Sequence, residues 1–222
     1  MSTINNVGLT NMNVTGGSYV GGLVGWNDFV TINNSYSTGT VSGTYLTGGL
    51  VGDNIGTINT SYSAAVVTNR GSGSNYFGGL VGANDNYFRA PSGVVNNSYS
   101  IGAVSGGGAS YVGGLMGANF GIINTSYSTG AVSNNGVTSL TGGLVGGSPS
   151  TGGFGFVTGS YWDTQTSGQL ASGGGTGMTT AQMQQQATYP TGPTGWDFVN
   201  VWQITNGASY PTLRVFTHKS EI

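Results

Sequence analysis

Cysteine is absent from this 222-residue chain and charge is scarce: four Lys and Arg, six Asp and Glu, and one histidine give a net charge of −2. Without thiols there are no disulfides, iron–sulfur clusters or thiolate zinc sites, so stability must come from packing and hydrogen bonds. Four cations, Arg70, Arg89, Arg214 and Lys219, cannot neutralise a row of phosphates. That sets nucleic acid aside as a partner and gives anionic membranes no better claim. No apolar run approaches the roughly 20 residues of a membrane-spanning helix, so membrane insertion is not expected. The opening "MSTINNVGLT" has neither the charged nor the apolar region of a signal peptide. His218 has no nucleophile context, and HExxH, P-loop and GxSxG patterns are missing, so an enzyme is not expected.

What the chain does have is glycine, 44 residues of it, and the glycine is periodic. A Gly-Gly-Leu element recurs with its leucine at Leu23, Leu50, Leu80, Leu115 and Leu144, and a Ser-Tyr pair recurs with its tyrosine at Tyr36, Tyr62, Tyr99, Tyr127 and Tyr161. The spacing stretches but the order never changes, as in a stacked coil whose loops bulge outward at little entropic cost. Segments such as "TVSG", "GGLVG" and "TINNSYS" are short, β-branched or aromatic, and punctuated by glycine, which predicts about three short strands per repeat. A unit so small cannot bury its own apolar face, so coil must stack on coil about 4.8 Å apart. The expected fold is all-β: a right-handed-type parallel β-solenoid (β-helix) of about five to six coils over residues 1–160. A small C-terminal capping module over 161–222 follows, with one short helix in "TTAQMQQQA" (179–187). Met1 falls inside a repeat, "TINNVGLTNMNVTGG" aligning with "TINNSYSTGTVSG", so the chain reads as a piece of a longer array.

Stacking assigns roles to the repeated residues. Asn27, Asn54, Asn84 and Asn119 each follow a Gly-Gly-Leu leucine by four, while Asn33, Asn59, Asn96 and Asn124 precede the Ser-Tyr tyrosine by three. Equivalent residues of successive coils lie one strand spacing apart, so each set predicts a ladder of amide hydrogen bonds. The Gly-Gly pair permits either a bend with positive φ or tight backbone packing.

"GGLVGxN" followed by "INNSYSTGTV" resembles the GLUG repeat of bacterial surface proteins, named for its Gly-Leu-hydrophobic-Gly core. The closing "SYWDTQTSGQLASGGGTGMTTAQMQ" and the residues after it, to 214, look like the module that commonly ends such arrays. The resemblance implies an extracellular or cell-surface bacterial protein, often an adhesin of the filamentous-haemagglutinin type, and no particular ligand. The expected function is accordingly a rigid adhesin stalk that binds or self-associates. Its partners would be a host or neighbouring-cell glycan or protein, or further copies of itself.

Three sets of residues are candidates for more. Asp28 and Asp85 sit at one offset after their leucines and Asp53 in the coil between, so stacking can align three carboxylates for Ca2+ or, in the enzyme alternative, for polysaccharide chemistry. No other cofactor is implied. The long connections at 68–77 and 83–94 carry Arg70, Tyr76, Tyr87, Phe88 and Arg89, a pairing of rings and guanidinium groups suited to a glycan or protein. Finally, if Val41, Val67, Val104 and Val132 point inward, Thr38, Thr40, Ala64, Val66, Ile101, Ala103, Thr129 and Ala131 point outward. That flat, uncharged face is the basis of an alternative ice-binding reading.

Overall fold

Four strands make one coil, the long second strand being broken in two in the coils that begin at Val94 and Ile122. The computed structural model describes residues 2–71, 75–85, 93–109, 111–136, 140–147 and 155–217. Its first coil runs through Thr3–Asn5, Gly8–Thr15, Tyr19–Gly21 and Val24–Asn27, after which Thr31–Asn33 begins the second coil beside Thr3–Asn5. The sequence predicted three strands per repeat. The fourth arises because the Gly-Gly-Leu turn divides Tyr19–Gly21 from Val24–Asn27, two short strands that read in sequence as one.

The strands of the coils pair in parallel with their equivalents one repeat later, the defining arrangement of a parallel β-solenoid, and only Trp202–Gln203 and Thr212–Leu213 in the C-terminal segment pair antiparallel among the described residues. One sheet holds six strands, from Thr3–Asn5 to Phe156–Thr158, and aligns Asn5, Asn33, Asn59, Asn96 and Asn124 in a single column. The longest sheet carries the Ser-Tyr pairs, and two five-stranded sheets carry the residues on either side of the Gly-Gly-Leu turn. Leu50, Leu80, Leu115 and Leu144 fill the interior beside Ile32, Ile58, Val95 and Ile123, all fully buried. Each such side chain contributes roughly 1.5–3 kcal/mol, and no coil could bury it without its neighbours.

Positive φ is placed on asparagine and threonine. At the corner that follows the sheet asparagine, Asn6, Asn34, Thr60, Asn97 and Thr125 adopt φ between 44° and 57°, and Gly159 takes the place in the last coil with φ of 53°. Asparagine tolerates this left-handed conformation better than other non-glycine residues. The Gly-Gly pairs are absent from the positive-φ set among the described residues; they sit where the backbone of the adjacent coil comes close. Of the two roles open to them from sequence, tight packing is the one they fill.

The Ser-Tyr pair works in two directions. The serine is buried, and its hydroxyl joins coils: Ser61 Oγ donates to the Asn59 carbonyl at 2.8 Å and accepts from the Ser35 N–H at 3.1 Å, a pattern repeated at Ser98 and Ser126. The tyrosines stack on the outer side, with ring centroids 5.0 Å apart for Tyr36–Tyr62, 4.9 Å for Tyr62–Tyr99 and 5.0 Å for Tyr99–Tyr127.

This tyrosine column is what the C-terminal segment covers. Thr176–Met178 first adds a strand to the long sheet beside Tyr161–Asp163, and the chain then turns back along the column. Tyr189 and Trp196 pack at Tyr161, Trp202 lies against Tyr99 and Tyr127, and Phe216 meets Tyr36 and Tyr62 edge-on. Two short helices occur where one was predicted. Thr180–Met183 has the Thr179–Gln182 capping box, and Thr164–Ser167 starts at Asp163, whose carboxylate accepts from the N–H groups of Gln165 and Thr166. Asp163 also accepts from the hydroxyls of Thr180 and Tyr210, tying both helices and the returning segment to the last coil. Burial pushes its carboxyl up, but these bonds outweigh that and hold it below the ordinary value.

Candidate functional site

An aromatic strip crosses the outside of the solenoid where the two five-stranded sheets meet. Tyr19 stacks on Trp26 with ring centroids 6.1 Å apart, and Tyr45 meets Tyr19 edge-on at 6.4 Å. The strip continues through Tyr76, edge-on to Tyr45 at 5.9 Å and stacked on Tyr111 at 5.0 Å. Register builds it: Tyr19, Tyr76 and Tyr111 occupy one strand position, shared with Leu46 and Leu140. Trp26, Tyr19 and Tyr45 are 54%, 46% and 37% exposed, an unusual display for rings this large.

Beside the strip lies a carboxyl pair. Asp53 aligns with Trp26 on one side and Ala83 on the other, and Asp85 follows two residues after Ala83. Burial first, then the charge of Asp85, push the Asp53 carboxyl up to about 7, while burial pushes Asp85 up to about 6. The two groups titrate together, so the pair holds a proton to higher pH than ordinary carboxyls do. Burial, the Tyr19 ring hydroxyl and the two carboxyls together raise Tyr45.

Asp28 stands apart from this pair. It is exposed on the first coil, and among the described residues no group of three or more His, Cys, Asp or Glu is placed to hold a metal ion. Arg70 is exposed where the chain leaves the strand Tyr62–Asn69, and Tyr76 belongs to the strip. Tyr87, Phe88 and Arg89 lie outside the described residues. Thr40, Val66, Ile101, Ala103 and Ala131 are exposed and Thr38, Ala64 and Thr129 half-buried, with Val41, Val67, Val104 and Val132 buried between them. Pairing places Thr38 beside Ala64 and Thr40 beside Val66, so neither column is uniform threonine.

The asparagine columns differ from one another. Asn27 donates to Asn54 at 2.7 Å, Asn54 to Asn84 at 2.8 Å and Asn84 to Asn119 at 2.9 Å, an unbroken chain of buried amides. In the other column Asn33 donates to Asn5 and Asn124 to Asn96, each at 2.9 Å, whereas the half-buried Asn59 makes no side-chain hydrogen bond among the described residues.

Residues 16–42 match the GLUG motif family. The chain carries the GLUG motif. The matched segment takes in Tyr19–Gly21, Val24–Asn27, Thr31–Asn33 and most of Tyr36–Gly43, which is one circuit of the solenoid. The chain is also 41% identical over 75 residues to a protein of Evansella cellulosilytica named "Putative Gly-rich membrane protein". That stretch is 33% of this chain and 8% of the relative, so the chain spans a small fraction of the relative's length. No solved structure matches it.

Within the GLUG repeats, sequence reasoning passed over Tyr19, Tyr45 and Trp26, and for Trp26 a signal was at hand. The position before the buried asparagine is Trp26, Asp53, Ala83 and Ala118 in successive coils. A large ring and an acid in a column that otherwise takes alanine were the available signal.

The carboxyl pair makes stability depend on pH. Both folded-state values lie above the ordinary 3.8, so the pair's favourable contribution is complete below that value and is lost as pH rises through 6 to 7. Asp53→Asn removes the charge while keeping the shape. It is expected to raise stability at pH 8 by about 1–2 kcal/mol and to flatten the melting-temperature profile between pH 5 and 8. Parallel profiles for variant and wild type would show that the pair carries no such strain.

Proposed function

We propose that this chain is a non-enzymatic module of a bacterial cell-surface or secreted protein, a stiff stalk of stacked coils that also adheres through its exposed aromatic strip. The observation that carries the reading is the register, held strand on strand through a six-stranded sheet and reinforced by a buried amide ladder. Such a stack bends only by breaking many parallel bonds at once. The GLUG match and the membrane-protein name of the relative support a surface location. No helix among the described residues is long and apolar enough to cross a membrane.

Adhesion is placed on Trp26, Tyr19 and Tyr45 because rigid exposed rings give large contact area at small entropic cost. The partner is a glycan or protein of a host or neighbouring cell, or another copy of the chain. The test is surface display on a non-adherent bacterium. Attachment to host-cell monolayers and to cells displaying the same chain is compared between wild type and the Tyr19→Ala, Trp26→Ala, Tyr45→Ala triple variant. Attachment to one of the two should fall about tenfold or more with the variant still displayed. Equal attachment by both chains would remove the strip from the reading.

A further inference from the structure

A second recess lies on a different side of the molecule, where the returning C-terminal segment faces the six-stranded sheet. It is a cleft of about 530 Å³, a volume within the usual range for a small-molecule site. Its floor is the sheet asparagine column, Asn59, Asn96 and Asn124, one amide per coil and so about 4.8 Å apart. Asn97, Thr125 and Thr158 line it beside the floor, and residues 193–195 form the opposite wall. No lining residue is charged and none is aromatic.

The polar groups here are incompletely used. Asn124 donates to the Asn96 carbonyl oxygen and the Thr125 hydroxyl donates to that of Asn97. The amide N–H groups of Asn96 and Asn97 are left without a protein partner among the described residues, as is the whole amide of Asn59. In the buried ladder, by contrast, Asn54 and Asn84 each donate both to the next asparagine and to a backbone carbonyl. The wall opposite is held firmly: the Trp196 indole donates to the Gly159 carbonyl at 2.8 Å and its backbone N–H to Pro190 at 2.8 Å.

From this geometry we infer that the cleft binds a neutral, hydroxyl-rich glycan segment. Each amide offers a donor beside an acceptor, the complement of adjacent sugar hydroxyls, which are both at once. A repeat near 4.8 Å along the floor is comparable with the advance per sugar of an extended chain, so successive units meet successive amides. An anionic ligand would find no cation to neutralise it, an apolar one would strip water from amides without replacing it, and a nucleobase would find no ring to stack on. The site is independent of the aromatic strip.

The test is native affinity electrophoresis through gels containing dextran, hydroxyethylcellulose or starch, with alginate as the anionic comparison. Wild type should be retarded by at least one neutral polysaccharide and not by alginate. Asn97→Gly removes an amide while keeping a residue suited to φ of 47°, and Thr194→Arg fills the exposed wall. Each should weaken the apparent affinity tenfold or more; the melting temperature should be unchanged in Thr194→Arg, whereas Asn97→Gly also releases the buried Thr125 hydroxyl, so its affinity is compared well below its own melting temperature. Retardation by none of the neutral gels, retardation by alginate alone, or retardation intact in both variants would overturn the inference. Loss of retardation with Trp26→Ala but not with Asn97→Gly would move glycan binding to the strip and likewise overturn it.

Discussion

Asn54→Ala is expected to cost about 3–5 kcal/mol, while Asn59→Ala, the same change in the other column, should cost under about 1 kcal/mol. Asn54 is fully buried and holds three bonds: its amide donates to Asn84 at 2.8 Å and to the Gly56 carbonyl at 3.2 Å, and its oxygen accepts from Asn27 at 2.7 Å. Alanine leaves the Asn84 oxygen, the Gly56 carbonyl and one Asn27 N–H stranded in the interior. An unsatisfied buried group costs about 1–3 kcal/mol, and the total is less than three times that because a water can enter the vacated space. Asn59 is half-buried and its side chain makes no hydrogen bond among the described residues, so its removal strands no partner. Chemical denaturation of the two variants beside wild type checks the contrast. Equal losses would mean that the ladder supplies shape and not hydrogen-bond energy.

That contrast marks the limit of what the repeat alone reveals. Asn54 and Asn59 both recur in successive coils until the last, where Ser148 and Thr158 take their places in sequence, and both columns can be read from spacing because stacked coils must align equivalent residues. Which column is sealed depends on what lies outside it. The Val30 and Gly93 carbonyls close over the ladder of Asn27 and Asn84, while the Asn96 column faces an open cleft. Parallel stacking was legible for the same reason as the columns. The number of strands was not, since a bend inside "LTGGLVG" leaves no signature beyond glycines that also serve packing. The left-handed corners at Asn34, Thr60 and Asn97 were hidden because Thr60 and Thr125 share them, and threonine does not advertise positive φ. The C-terminal segment was read as covering an end, and its first part does so, with Ala171, Ser172 and Gly173 bonded to the backbone of residues 143–145; its lateral run along the tyrosine column was not foreseen. Its surplus of rings, Tyr189, Trp196, Trp202, Tyr210 and Phe216, matches the outward tyrosines of the Ser-Tyr pairs, and pairing the two would have predicted a lateral cover. At the candidate site, attention to loop length favoured Arg70 and residues 87–89 over Trp26, whose position on a regular strand disguised its exposure.

Gly79→Ala should be the more damaging test of the stack, with an expected loss of at least about 3 kcal/mol and little folded protein recovered at 37 °C. A Cβ on Gly79 would lie 2.2 Å from the carbonyl oxygen of Gly114 in the next coil and 2.2 Å from the Ser100 hydroxyl. The first contact is with backbone, so no rotamer relieves it, and the coils must separate at that corner. Separation would strain the bonds that follow, Gly79 N–H to Gly113 at 3.3 Å and Leu80 N–H to Leu115 at 2.8 Å, and would open the leucine column they hold together. Overpacking of this kind typically costs about 1–3 kcal/mol where side chains can yield, and more where only backbone can move. A Cβ on Gly49 would likewise lie 2.2 Å from the Gly79 carbonyl oxygen, and one on Gly114 2.2 Å from that of Gly143, so the spacing is a property of the whole column and no neighbour has slack to lend. Gly17→Ala is the matched control. Nothing lies within 4 Å of its Cβ position and its φ is not in the left-handed range, so it should be neutral or stabilise by up to about 1 kcal/mol through the unfolded chain. Opposite signs for one substitution at two glycines would tie the Gly-Gly pair to the distance between coils; a mild effect at Gly79 would mean that the stack can open there and that stiffness is not what the repeat secures.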